Sequence, residues 1–373
     1  METKLKPTGV SKRVVSIDLV RGLVMVLLAA ESARLYSTLA EFNMGGVGGA
    51  LVQQFFHHEW NGLRFWDLIQ PGFMLIAGSA MYISYHYKTL RGISWSDNLG
   101  HIAIRCFKLL VCGVALHCVY SGKLVWELWN VLTQLAFTIM ISYLIIRWSY
   151  KYQLVFSIGL LLLAEILYRY TNIPGYDQPF VIDKNFGSFM DMVTMGKLNN
   201  GGGWVFINII TTAAHTIWGA LAGKLLISQT TNSYKVKALL LSAAVGLALG
   251  YGLDWAGITP IIKRIATSSF TLASGGWILL IMAVLYWVND VKKWNKYVWI
   301  FTVVGMNPIF IYLLFETLGR QWLNKTVGIF VGGFSGMLGA GDHWQMLFSA
   351  IATLFVLWYI CYWLYKRKIF FKL

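Results

Sequence analysis

Apolar stretches of membrane-spanning length recur from one end of this 373-residue chain to the other, and little else fits between them. A hydrocarbon core of about 30 Å takes ~20 apolar residues per helix. Ten stretches meet that need: 14–34, 63–86, 101–120, 126–147, 153–170, 204–227, 237–255, 268–288, 297–318 and 345–365. Charged residues make up 13% of the chain, about half the roughly 25% of a soluble domain. The pattern predicts an all-α polytopic membrane protein of about ten transmembrane helices, folded as a single domain over 1–373. No hydrophilic stretch is long enough for a second one.

The formal net charge is +15. The cations fall in short loops on one predicted side: Lys88 and Arg91, Arg147 and Lys151, Lys224, Lys235 and Lys237, then Lys292, Lys293 and Lys296. Both tails are basic as well. Such a bias marks the cytoplasmic face, so both termini are expected inside, and nucleic acid is not an expected partner. Lys263 and Arg264 fall on the other side and break the pattern. The first apolar run reads as an uncleaved signal anchor. The four cysteines lie within predicted helices without a C-x-x-C pair, so neither a disulfide framework nor a metal site is expected. No internal repeat is evident, which counts against an inverted-repeat transporter.

The predicted outer loops, 35–62, 171–203 and 319–344, are long and rich in Gly, Asn and aromatics. That mixture suits a sugar-binding surface, with hydrogen bonds around a stacking face, and equally an interfacial aromatic belt. None of the Gly-rich runs has the spacing of a phosphate loop.

Titratable side chains beside hydrocarbon are expensive and tend to mark function. The densest group is His57-His58-Glu59-Trp60-Asn61-Gly62-Leu63, followed by Asp67 inside an apolar run. An imidazole can attack a thioester or deprotonate an amine or hydroxyl. A carboxylate on its other nitrogen fixes the tautomer, and Asp67 and Glu59 are the candidates. The bland alternative is a pair of interfacial histidines with a capping acid. Asp18 with Arg21, and Glu31 with Arg34, are spaced i,i+3 on the first span, as structural ion pairs often are. Arg105 and Lys108, near His101, either snorkel to lipid phosphate or join Arg21 in a basic mouth for a nucleotide-bearing donor. Asn130, Gln134, His215, Asn307 and Glu316 are buried polar residues, most simply interhelical contacts; His215 is also placed where it can approach His57.

Taken in order, several motifs resemble the heparan-α-glucosaminide N-acetyltransferase family. They are Ser16-Ile17-Asp18-Leu19-Val20-Arg21-Gly22, His57-x-x-Trp60-Asn61-Gly62-Leu63, Asp67-Leu68-Ile69-Gln70-Pro71-Gly72-Phe73, Thr267-Ser268-Ser269-Phe270, Gly305-Met306-Asn307-Pro308-Ile309-Phe310-Ile311-Tyr312 and Tyr365-Lys366-Arg367-Lys368-Ile369-Phe370. The resemblance is to bacterial members lacking the luminal domain of the animal enzymes, which implies a bacterial inner-membrane location in contact with membrane lipid.

The resemblance implies a transmembrane acetyltransferase taking acetyl from cytosolic acetyl-CoA, without metal, to a saccharide on the far side. The family's active histidine maps to His57, as base or acetyl carrier, and Asp67 supports it. Asn61, Trp60, Glu59, His215 and Asn307 become candidate acceptor-binding residues. Arg21, Arg105, Lys108 and Asp18 become candidate donor contacts. A homodimer is an allowed assembly. The family's Asp-Pro-Glu-Gly segment before the sixth span is replaced here by Gly201-Gly202-Gly203-Trp204, so the acceptor is expected to differ from heparan glucosamine, either another amino sugar or a glycan hydroxyl. The competing class is a multi-span sugar or glycan transporter without acyl-transfer chemistry.

Overall fold

The computed structural model describes residues 14–199 and 201–371. The described residues form no strand, and one isolated antiparallel bridge joins Asn61 to Ile262. The helices, in chain order, are α1 (Val15–Ser32), α2 (Leu35–Glu41), α3 (Gly46–Gln53), α4 (Ile69–Leu90), α5 (Trp95–Ser121), α6 (Val131–Leu144), α7 (Tyr150–Tyr170), α8 (Phe186–Met195), α9 (Ile209–Ile227), α10 (Asn232–Trp255), α11 (Ser268–Leu285), α12 (Val298–Gly305), α13 (Pro308–Leu314), α14 (Asn324–Val327), α15 (Gly333–Met337) and α16 (Asp342–Lys366).

Helix lies on each of the ten predicted stretches, but the helices are of two kinds. α5, α7, α10, α11 with its continuation to Val291, and α16 are long and apolar enough to cross a membrane; a sixth is reached if the α12–α13 pair is one broken span. Large apolar side chains such as Leu154, Leu162 and Ile166 on α7, and Leu241 and Leu249 on α10, point outward. α1, α4 and α9 carry the polar groups. They pack on one another and on α6, α11 and α12 inside the bundle, where ionisable side chains escape lipid.

Small residues bring these inner helices together. Gly219 and Gly223 on α9 lie against Leu75 and Ser79 of α4, and Gly78 on α4 against Thr216 of α9; a Cβ at Gly219 would fall 1.9 Å from Leu75 O, and one at Gly78 1.9 Å from Thr216 O. A Cβ at Gly22 would fall 2.0 Å from Phe301 O where α1 crosses α12. Close backbone approach through glycine is how helices associate where water provides no hydrophobic drive.

Three sequence expectations shift in detail. The stretch 63–86 does not open as α-helix: Phe65–Leu68 is a 3-10 turn, and α4 starts at Ile69 with Pro71 in its first turn, where its missing N–H costs nothing. The stretch 297–318 bends by 77° at Met306-Asn307, because Pro308 pushes the preceding residue out of the helical region. The predicted loop 319–344 is wound helix as far as Met337. Its glycines lie close to α16: Cβ atoms at Gly332 and Gly336 would meet Ser349 and Gln345 at 3.2 and 3.1 Å.

Candidate active site

Asp67 organises the start of α4. Its Oδ2 accepts from the amides of Arg64 (2.9 Å) and His58 (3.2 Å), and the Trp66 amide donates back to Gln54 O (2.9 Å). These bonds fold the 57–64 segment over the helix end and deliver His57 to the free carboxylate oxygen: His57 Nδ1 lies 2.9 Å from Asp67 Oδ1. Asp67 is buried, whereas the His57 side chain is 38% exposed, so the imidazole is held on one edge and open on the other.

A second segment closes on the same atoms. Gly62 N donates to Ile261 O (2.8 Å), and Asn61 bridges Ile262. Gly62 has φ +144°, and a Cβ there would strike the His58 ring, so this crossing needs glycine. The 256–267 loop is stiffened by its own neighbours. Thr267 Oγ1 receives Ile262 N (3.0 Å) and donates to Pro260 O (2.7 Å), Ser269 Oγ also donates to Pro260 O (2.7 Å), and Asp254 accepts Ile261 N (2.9 Å). The result is a buried Lys263 whose Nζ sits 2.9 Å from His57 Nδ1 and 3.5 Å from Asp67 Oδ1. Burial, and then the Lys263 charge, pull the His57 imidazole below its ordinary range against the opposing pull of Asp67.

The Gly201-Gly202-Gly203 segment has a visible job. Arg264 donates to Gly202 O through the space a side chain would occupy, and Trp204 stands edge-on to His57 with ring centroids 5.7 Å apart. Lys263 Nζ and Arg264 Cζ lie 5.4 and 5.9 Å from the Trp204 ring centre, in cation–π range.

The predicted acceptor residues separate. Glu59 is exposed, faces Arg264 and lines a cleft with Arg64 beside the loop. Trp60 is an anchor, its Nε1 donating to Phe180 O (2.8 Å). His215 is buried between α9 and α11, its Nε2 on Thr271 O (2.9 Å) and Ser274 Oγ (3.1 Å), with no bond to His57. Asn307 sits at the α12–α13 bend, bonded at both ends to the C-terminal segment through Ile369 O (3.0 Å) and Phe371 N (2.8 Å). Of the i,i+3 pairs, Asp18 and Arg21 meet at 3.3 Å. Arg34 lies past the end of α1 in the left-handed region, and Glu31 faces Arg320 instead (3.7 Å).

At the opposite end of α4 the predicted donor contacts do converge. Arg21, Arg105 and Lys108 line one cleft of about 900 Å³ with Lys88 and His101. Asp18 lines an adjoining cleft that shares Arg21 and Lys88 with the first. Among the described residues neither Arg105 nor Lys108 has an ion-pair partner. The cleft follows α4 from Lys88 down to Phe73. Phe73 lies six positions after Asp67, about 9 Å at helical rise. The interval holds a polar chain, in which Gln70 donates to Gln134 and Gln134 donates to Asn208 (2.9 Å).

Sequence reasoning missed Lys263, Arg264 and Trp204 as site residues. The signal was partial: Lys263 and Arg264 are adjacent cations in a predicted outer loop, but Lys184, Lys197, Arg320 and Lys325 break the charge pattern as well.

The fold and this site define an integral membrane protein with a His–Asp–Lys group at one end of a buried helix and a basic cleft at the other. No family model matches the chain. The heparan-alpha-glucosaminide N-acetyltransferase of Homo sapiens is 31% identical over 119 residues, 31% of this chain and 16% of that protein. Its Mus musculus counterpart is 31% identical over 121 residues, with the same shares. The chain thus spans about one sixth of the length of these curated relatives, and the relationship is a distant one.

Proposed function

We propose that the protein transfers acetyl from acetyl-CoA, held in the basic cleft, to an amine or hydroxyl of a saccharide bound beside His57. The observation that carries this reading is the placement of the two sites on α4. A cleft of cationic and apolar walls enters from one end and stops about 9 Å of helix rise short of a histidine–carboxylate pair at the other. Its volume is at the upper end of the range of small-molecule pockets, as a long nucleotide thioester requires. The name borne by the distant relatives agrees in reaction class.

In this reading Arg105, Lys108 and Arg21 hold the phosphates, and the thioester arm runs along α4 toward Gln70. A lone pair on His57 Nε2 takes the proton of the acceptor as its nitrogen or oxygen attacks the thioester carbonyl, and the CoA thiolate leaves. The same lone pair is needed if His57 first carries the acetyl group itself. Asp67 stabilises the imidazolium that forms. The cleft end is the cytoplasmic one in this scheme, and both Val14 and Phe371 line clefts there.

The test is transfer of labelled acetyl from acetyl-CoA to glucosamine-type and related sugars by purified protein, wild type beside His57→Ala. Label on sugar with wild type alone is expected. Equal label in both removes His57 from the mechanism, and absence of CoA binding by wild type moves the protein to the transporter class.

A further inference from the structure

His57 Nδ1 has two neighbours at hydrogen-bond distance, Asp67 Oδ1 and Lys263 Nζ, both at 2.9 Å, and one nitrogen cannot serve both in the same way. An ammonium donates and needs a lone pair on Nδ1. A carboxylate accepts and needs a proton there. The two demands select opposite tautomers. We propose that Lys263 is a positioning residue that sets the tautomer of His57. As an ammonium it donates to Nδ1 and to Asp67 and leaves the ring proton on Nε2; as a neutral amine it lets Nδ1–H donate to Asp67 and frees Nε2. This rests on the reading of His57 as the group that uses its Nε2 lone pair.

The surroundings place Lys263 near the balance point. It is buried, at 7% side-chain exposure. Asp67 at the head of α4 and Glu31 at the end of α1 favour its charge. Arg264 beside it opposes it, and the Trp204 ring covers it. Burial outweighs the carboxylates and brings the ammonium down to about 8. The sign follows: below that range the charged lysine keeps Nε2 protonated and His57 idle, and above it the base is released. Going from about pH 7 to about pH 9 across such a group changes the neutral fraction roughly tenfold.

The decisive experiment reads the tautomer directly, without turnover. The full chain, labelled with 15N-histidine in detergent, is followed by long-range nitrogen–proton spectra, with His57→Gln identifying the His57 signals. Wild type is expected in the Nε2–H form near pH 7, converting to Nδ1–H by about pH 9. Lys263→Arg, which stays charged, is expected to hold Nε2–H throughout. Lys263→Met, which keeps the Asp67 contacts to His57 and the two amides, is expected to hold Nδ1–H wherever the ring is neutral. The same tautomer in all three proteins at every pH overturns the proposal.

Acetyl-transfer profiles are the second measure. Wild-type rate rises about tenfold over that interval, the Arg variant stays flat and at least about tenfold below wild type at the alkaline end, and the Met variant has no alkaline rise. A lysine with a merely structural role would make both variants slow with the wild-type pH shape, which contradicts the assignment. Should the Met variant fail to fold, the Arg variant alone decides. A tautomer switch without acetyl transfer would break the proposed function and leave this inference standing.

Discussion

The two ends of α4 solve opposite problems. At the Asp67 end, a carboxylate, an imidazole and an ammonium are held within 2.9 to 3.5 Å of one another. At the Lys88 end, about 900 Å³ stands open between apolar walls, with Arg105 and Lys108 unpaired among the described residues. Low dielectric and fixed geometry suit a group that must hold one proton in one place. Loose cations suit a large polyanion, which brings its own charges and is bound by many modest contacts. The difference teaches where substitutions act: those at the tight end strike the chemical step, and those at the open end strike donor affinity.

The largest effect is expected from Asp67→Asn. The amide keeps the shape of the site but removes the negative charge beside Nδ1. It also offers a donor where the ring requires an acceptor. Loss of the corresponding carboxylate in histidine-based catalysis costs on the order of 10³–10⁴ in turnover. Here kcat is expected to fall by at least about 10³, with CoA affinity by calorimetry unchanged within about twofold. An equal loss in both quantities would erase the distinction between the two ends.

A smaller effect is expected from Arg105→Ala, then Lys108→Ala. A charge-assisted contact to phosphate is worth about 1.5–3 kcal/mol, so the CoA dissociation constant should rise roughly tenfold to a hundredfold for Arg105. For Lys108, a point charge without the fork of the guanidinium, the rise should be less. kcat at saturating donor should hold within about threefold. Combined with Asp67→Asn, the two losses should multiply, because sites this far apart with no shared partner act independently. A strongly non-multiplicative result would show that the Gln70–Gln134–Asn208 chain between the ends couples them.

The sequence made these ends unequally legible, for physical reasons. His57 and Asp67 are ten positions apart, and one local turn brings them together, so the motif contained most of the geometry. Arg21, Arg105 and Lys108 were readable because cations within apolar runs are conspicuous, and α1 and α5 bring them to one cleft. Lys263 is 206 positions from His57, and Trp204 reaches it from a third segment. No local pattern encodes that meeting: the charge rule is broken at 263–264, but Lys184, Lys197, Arg320 and Lys325 break it too. His215 and Asn307 looked functional because polar groups in apolar runs are conspicuous. The fold uses both as bonds, one to α11 and one to the C-terminal segment. Helix content followed from hydropathy, but the 3-10 turn at Phe65–Leu68 did not, since its residues are as apolar as the helix they precede.

The smallest effect, and the one that sharpens the tight end most, is expected from Trp60→Phe. The sequence offers Trp60 as a stacking face for a sugar. The structure instead commits its indole nitrogen to Phe180 O, tying the 57–63 segment to the 176–184 loop. Phenylalanine keeps a ring against Gly203 and loses that one bond, a cost of about 1 kcal/mol. The effect should appear as a loss of order, not of binding surface. Proteolytic nicking of the 57–63 segment should quicken about fivefold, and kcat should fall by no more than a similar factor. Acceptor KM should move less than with Trp204→Ala, whose ring faces His57. If Trp60→Phe raises acceptor KM strongly and leaves proteolysis unchanged, Trp60 is part of the binding surface and the anchor role assigned to it is wrong.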